Sequence, residues 1–255
     1  MMAAGTAARR GLSVCVIEKN GLSGKKVRIT GKGRCNVTNN CDVKTLVASI
    51  PTNGRFLYGA ASRFSPGDTM DFFEGLGIPL KTERGNRVFP QSDRAGDIAD
   101  ALERFAKDAG ARFLTAKAET LLLRAGSVSG VVLQGGEKLT GGSVAVCCGG
   151  ASYPATGSTG DGYRLARQAG HTVTGLRPSL VPLVEDGEDC REMMGLSLRN
   201  VSLQVFDTEK EKVIFEDFGE LLFTHFGLSG PIVLSASSHM RDMAPVSYTH
   251  LTLPT

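Results

Sequence analysis

Residues 1–18 read Met1-Met2-Ala3-Ala4-Gly5-Thr6-Ala7-Ala8-Arg9-Arg10-Gly11-Leu12-Ser13-Val14-Cys15-Val16-Ile17-Glu18. The first ten residues are Ala-rich and favour a helix, and Gly11 is a natural stop because glycine takes the left-handed conformation that ends helices. Leu12 to Ile17 is apolar except for Ser13, which predicts a buried strand of a parallel sheet. A helix, a one-glycine turn, an apolar strand and a carboxylate at the strand's end form the second half of a βαβ dinucleotide-binding unit. Such units carry a strand and a Gly-rich turn ahead of the helix, so the unit is expected to lack its first half here.

Working outward, helical periodicity returns at Pro66 to Leu76 and at Asp93 to Ala109, where Ile98, Leu102, Phe105 and Ala109 share one face. Ser92 or Asp93 is the expected cap of the second helix, and Gly110 its end. Phe113-Leu114, Thr120 to Leu123, Val128 to Leu133 and Val144 to Cys148 read as strands, a meander returning to an apolar strand that should lie in the same parallel sheet as Leu12 to Ile17. Tyr163 to Ala169 reads as a short helix stopped by Gly170. After Pro178 and Pro182 the pattern changes to alternating strands, Leu198 to Phe206 and Lys212 to Phe215, so a boundary is expected near residue 180. No internal repeat is visible.

The whole chain has 255 residues, 41% of them apolar, enough to bury a core. A net charge of +3 with no run of five like charges gives no basis for nucleic-acid or acidic-membrane binding. The six cysteines include no C-x-x-C pair, which argues against a zinc site or a disulfide framework and for a cytoplasmic setting. No export signal or membrane span is read. The 32 glycines cluster between elements, where backbone turns sharply or meets a ligand closely.

Four segments carry chemistry. Glu18, at a strand end, can accept ribose hydroxyls of an adenosine half. Lys26, Thr30, Gly31, Gly33, Arg34, Cys35 and Asn36 sit in a Gly-rich basic loop whose amides, charges and hydrogen-bonding side chains suit a pyrophosphate or an electron-rich ring edge. A space-filling thiol is the plainer reading of Cys35. Gly149-Gly150, after Cys147-Cys148, allow close approach to a ligand. Adjacent strand residues face opposite ways, so a structural role is favoured for the two cysteines. Thr159 and Asp161 lie in Thr156-Gly157-Ser158-Thr159-Gly160-Asp161-Gly162-Tyr163, and Asp161 is also a candidate N-cap.

These segments, Arg28 to Asn39, Glu83 to Pro90, Ser152 to Tyr163 and Thr224 to Pro231, resemble in order the bacterial aminoacetone oxidase family of FAD-binding enzymes, also called BaiN-like NAD(P)/FAD-dependent oxidoreductases. The resemblance covers residues 1 to 244. It implies an α/β fold: an FAD-binding Rossmann-like domain of the glutathione-reductase type over 1–180, lacking its first strand, and the start of an inserted β-rich domain over 181–244, both incomplete. It implies that Glu18 holds the adenosine ribose, and that Lys26, Thr30, Gly31, Gly33, Arg34, Cys35, Asn36, Gly149, Gly150, Thr159 and Asp161 line the rest of the FAD. Where relatives have Ala-Thr-Gly-Gly, this chain has Cys147-Cys148-Gly149-Gly150, which weakens one donor. His225 lies in the segment the resemblance places opposite the flavin; a structural histidine is the favoured reading, and the catalytic residue stays unassigned. Residues 245–255 do not continue the pattern and read as a non-native tail.

The expectation is therefore an FAD-dependent oxidoreductase acting on a small-molecule substrate, with NAD(P)H one of the electron donors left open and no metal or nucleic acid expected. The alternative is a non-catalytic nucleotide- or RNA-associated protein using Lys25, Lys26, Lys32 and Arg34 as a phosphate patch.

Overall fold

The computed structural model describes residues 1–208 and 210–240, with the backbone of 249–252. The chain divides into two compact units, Met1–Val173 and Thr174–Thr255. In the first, α1 (Met2–Arg9) leads to β1 (Cys15–Glu18), a tight turn α2 (Thr30–Gly33), the two-residue β2 (Thr38–Asn39) and three short helices, α3 (Val43–Ala48), α4 (Tyr58–Arg63) and α5 (Pro66–Gly75). There follow the hairpin β3 (Leu80–Glu83) and β4 (Arg87–Pro90), the long helix α6 (Ala95–Asp108) and β5 (Arg112–Thr115). β1 and β5 run parallel, from Cys15 opposite Arg112 to Glu18 opposite Thr115. β4 is the centre of a three-stranded antiparallel sheet with β2 and β3.

α6 is amphipathic as its spacing requires, burying Ile98, Ala101, Phe105 and Ala106. Its contact with α1 is close because Gly5 has no side chain: a Cβ there would stand 2.3 Å from Phe105 Cε1. Ala8, Ala106 and Ala111 complete this small-residue contact. α6 is not capped by Ser92 or Asp93. Its N-cap is Arg94, without a side-chain cap bond. Ser92 Oγ instead reaches Asp97 Oδ2 at 2.6 Å, and Asp93 is spent on Arg34 and Lys81.

The meander β6 (Ala118–Arg124), β7 (Ser127–Leu133) and β8 (Lys138–Thr140) forms an antiparallel sheet of its own. Val144 to Cys148 is not a strand and does not join β1; among the described residues the sheet of β1 holds only β5. The run is apolar enough for a strand, but among the described residues no neighbour lies in hydrogen-bonding register with it, and Val146 is 43% exposed. Nor is β1 fully buried: Leu12 is 62% exposed and the strand itself is partly open. Helix α7 (Asp161–Gln168) then packs on the meander through Leu165, which lies against Leu121, Val131 and Leu133.

The second unit holds β9 (Leu183–Val184), α8 (Asp189–Glu192), β10 (Ser197–Asp207), β11 (Lys212–Thr224), β12 (Gly227–Ser229), α9 (Pro231–His239) and β13 (Thr249–Thr252). The antiparallel order is β13-β10-β11-β12-β9. Leu203, Val205, Leu221, Phe223, Ile232 and Val233 form its core. β11 runs to Thr224, well past the Lys212 to Phe215 expected from sequence. The expected non-native tail, 245–255, lies outside the described residues apart from the 249–252 backbone.

Candidate functional site

β1 delivers its last side chain, Glu18, to the carboxyl end of a parallel pair, the end at which α/β sheets take ligands. The chain turns at once, and Glu18 Oε1 accepts from both Asn20 N and Asn20 Nδ2, each at 2.8 Å. Asn20 Nδ2 also reaches Thr156 O at 3.4 Å. Between them, Lys19 Nζ donates to Asp161 Oδ2 at 2.6 Å and to Thr159 Oγ1 at 2.9 Å. Thr159 Oγ1 donates in turn to Asp161 Oδ2 at 2.9 Å. The end of β1 is thus laced to the loop that starts α7.

Asp161 lies in the first turn of α7 and does not cap it; Gly160 holds the N-cap position with no side-chain bond. The hydrogen bond from Lys19 holds the Asp161 carboxyl below the usual carboxylate range. The Cys148 thiol is pushed up, first by loss of surrounding water and then by the charge of Asp161, with Lys19 opposing. Cys147 and Cys148 are both exposed, on unpaired chain rather than on the two faces of a strand.

The glycines around this cluster make room. Gly149 has φ +72°, and a Cβ on it would meet Ser158 Oγ at 3.2 Å; one on Gly150 would meet the Tyr163 hydroxyl at 3.2 Å. Lys26 Nζ donates to Ser152 O at 2.6 Å and Ser152 Oγ at 3.0 Å, tying the basic loop to the same rim. The structure therefore brings together Glu18, Lys26, Gly149, Gly150, Thr159 and Asp161.

Thr30, Gly31, Gly33, Arg34, Cys35 and Asn36 go elsewhere. Among the described residues no hydrogen bond links them to the rim. Gly31 and Lys32 are both left-handed, Thr30 Oγ1 donates to Val27 O at 3.1 Å, and Cys35 N bonds Thr30 O at 3.0 Å, which closes the turn. Arg34 is not an open anion clamp. Its guanidinium lies over the Phe89 ring at 4.3 Å and donates to Glu83 Oε1 at 2.5 Å and Asp93 Oδ1 at 2.6 Å, with Lys81 completing the network. Those bonds, Glu83 first, raise the Arg34 pKa; the Arg34 bond holds Glu83 below its usual range, and the Lys81 bond, then that of Arg34, does the same for Asp93. Cys35 is 5% exposed in the core with Phe73, Leu80 and Val88, a space-filling thiol with φ +60°. Its pKa is raised by burial. The Asn36 amide donates to Thr38 O at 2.9 Å and Val88 O at 3.2 Å, so it braces β2 against β4.

An apolar cleft of about 270 Å³ lies beneath α7, lined by Leu121, Val144, Val146, Leu165 and His171 among others. It borders the rim at Gly162 but does not include Glu18. Sequence reasoning missed Lys19 and Asn20. Their signal was Gly157, which the motif contained: φ is +92°, and a Cβ there would lie 2.7 Å from Asn20 Nδ2.

The family described as HI0933-like protein Rossmann domain matches residues 1–230. A 3-dehydro-bile acid delta(4,6)-reductase of Clostridium scindens is 32% identical over 230 residues, 89% of this chain and 54% of that protein. Ribosomal RNA dihydrouridine synthases of Escherichia coli and Haemophilus influenzae are 28% and 30% identical, each over 94% of this chain and 58% of the relative. The chain thus spans little more than half the length of these curated relatives.

Proposed function

Because the chain belongs to the HI0933-like Rossmann family, we propose that it is the FAD-holding part of an oxidoreductase, with the adenosine ribose received at Glu18. The observation that carries this is the Glu18 carboxylate at the carboxyl end of β1, Oε1 fixed by Asn20 and Oε2 without a hydrogen-bond partner among the described residues. A carboxylate so placed accepts hydroxyl donors of a ribose and repels a phosphate in the same position. The residues at the rim fit that end of the cofactor. Gly149 and Gly150 let Ser158 and Tyr163 close onto the main chain, and Lys26 holds the Ser152 loop beside them. The Arg34 turn does not fit a charge-neutralising role, because Glu83 and Asp93 already balance Arg34 and Lys81.

FAD, when bound, supplies transfer of hydride equivalents between an organic substrate and an acceptor. This chain's own residues bind and orient: Glu18 reads the ribose, Asn20 holds Glu18, and the Lys19–Asp161 pair keeps the end of β1 against α7. In our proposal the substrate is a small organic molecule, a nicotinamide serves as electron donor, and the setting is the cytoplasm; the first part leans on the reductase relative at 32% identity. Among the described residues no helix is long and apolar enough to cross a membrane.

The test compares flavin content of purified Glu18→Ala and Glu188→Ala with the unaltered protein. A hydrogen bond to a charged group contributes about 1.5–3 kcal/mol, so Glu18→Ala should lower FAD affinity roughly 10- to 150-fold. Glu188, on the exposed turn before α8, should change nothing. Equal flavin in both variants would overturn the assignment.

A further inference from the structure

We infer that Asn20 is the positioning residue of the ribose site, acting through Glu18 and held in place by the bare backbone of Gly157. This rests on the reading of Glu18 as the ribose acceptor. Glu18 Oε1 receives two donors from one residue, the Asn20 backbone N–H and its side-chain amide, at 2.8 Å each. An ionised carboxylate oxygen offers two acceptor lone pairs, so Oε1 is filled by Asn20 and only Oε2 stays open. The pair of bonds also fixes the plane of the carboxylate, because rotation about its last torsion would break both. Asn20 thereby sets which oxygen a hydroxyl meets and from which side.

Asn20 is itself restrained from across the chain. Its Nδ2 reaches Thr156 O at 3.4 Å, and its amide lies where a side chain at residue 157 would be, 2.7 Å from Nδ2 and 3.0 Å from Oδ1 to an ideal Cβ. That separation is shorter than atoms tolerate. Gly157 also holds φ +92°, which side chains disfavour. Two independent demands therefore coincide on one glycine, and one of them concerns only the Asn20 amide.

The experiment measures FAD and FMN affinity, by flavin fluorescence, on the full chain carrying Glu18→Ala, Asn20→Ala, Gly157→Ala and the double change Glu18→Ala/Asn20→Ala, alongside thermal midpoints. FMN lacks the adenosine ribose and serves as the control. Asn20→Ala should weaken FAD about tenfold, the effect of one mis-set charged hydrogen bond, and leave FMN affinity unchanged. Gly157→Ala should weaken FAD selectively in the same way, with a lowered midpoint of its own. The double variant should bind FAD no more weakly than Glu18→Ala alone, since Asn20 acts only through that carboxylate. If Glu18→Ala weakens FAD and Asn20→Ala does not, the inference falls and the ribose site stands. Equal loss of FAD and FMN in Asn20→Ala makes Asn20 merely structural and overturns it. Unchanged FAD binding in Glu18→Ala, or an unaltered chain that binds neither flavin, removes the ribose reading and the inference with it.

Discussion

Cys190 is 5% exposed, and its pKa is pushed up to about 11 by burial and by the neighbouring Glu185 carboxylate. Cys35 is equally enclosed, whereas Cys15 and Cys147 are exposed. The thiolate is the reacting species, so iodoacetamide at pH 8 should label Cys15 and Cys147 first and leave Cys35 and Cys190 untouched until the chain is unfolded. Peptide mapping that finds Cys35 or Cys190 among the first labelled would contradict the packing. The Lys19–Asp161 bond gives a pH signature. Asp161 titrates lower folded than unfolded, so its contribution is present above about pH 4, the unfolded value, and is lost as pH falls through the folded one. The stability gap between the protein and Asp161→Asn, followed by urea unfolding, should therefore close as the solution is acidified. At this scale the sequence placed Glu18 at a strand end and Thr159 and Asp161 at a helix start, because such ends mark themselves locally. It hid Lys19 and the restraint on Asn20 from Thr156, contacts made to residues some 140 positions away. It also overstated Arg34, since a charge in a loop says nothing of Glu83 and Asp93 waiting opposite.

Elements were legible where periodicity decides them. α5, α6 and α7 fall where apolar spacing and flanking glycines put them, and α5 begins on a Ser65–Asp68 capping box. Val144 to Cys148 was not, because an apolar run becomes a strand only when a second backbone meets it, and among the described residues none does. β11 was cut short in the reading by Glu216, Asp217 and Gly219, which break the alternation though the ladder with β10 carries through them. The α1–α6 contact offers the sharpest test of an element. Ala is favoured over Gly inside a helix by about 1 kcal/mol, so Gly5→Ala should stabilise α1 if nothing else changed. Phe105 cannot yield, being 4% exposed, edge-on to Phe72 at 5.0 Å and covered by Arg9 at 4.5 Å. Overpacking costs about 1–3 kcal/mol, so the variant should unfold at lower urea, and Phe105→Leu in the same chain should recover most of the loss.

For the whole molecule, the α/β class and the family were readable from the opening helix–strand–carboxylate and the motifs that follow it. Residues 174–182, where the second compact unit begins, have no regular structure, and Leu176 and Leu180 are 57% and 63% exposed. Brief thermolysin digestion should cut ahead of one of these leucines first, leaving two protected fragments; early cutting inside β10 or α6 would contradict the division. The parallel pairing of β1 with β5 has a further consequence, in the order of events during synthesis. Cys15–Glu18 emerges well before its ladder partner, Arg112–Thr115, which follows after roughly a hundred more residues, so the parallel pair that presents Glu18 cannot form until then. β10 and β11, by contrast, are neighbours across a tight connection and can zip as soon as they leave the ribosome. The carboxyl end of β1, once made, thus waits for a partner that the chain supplies much later.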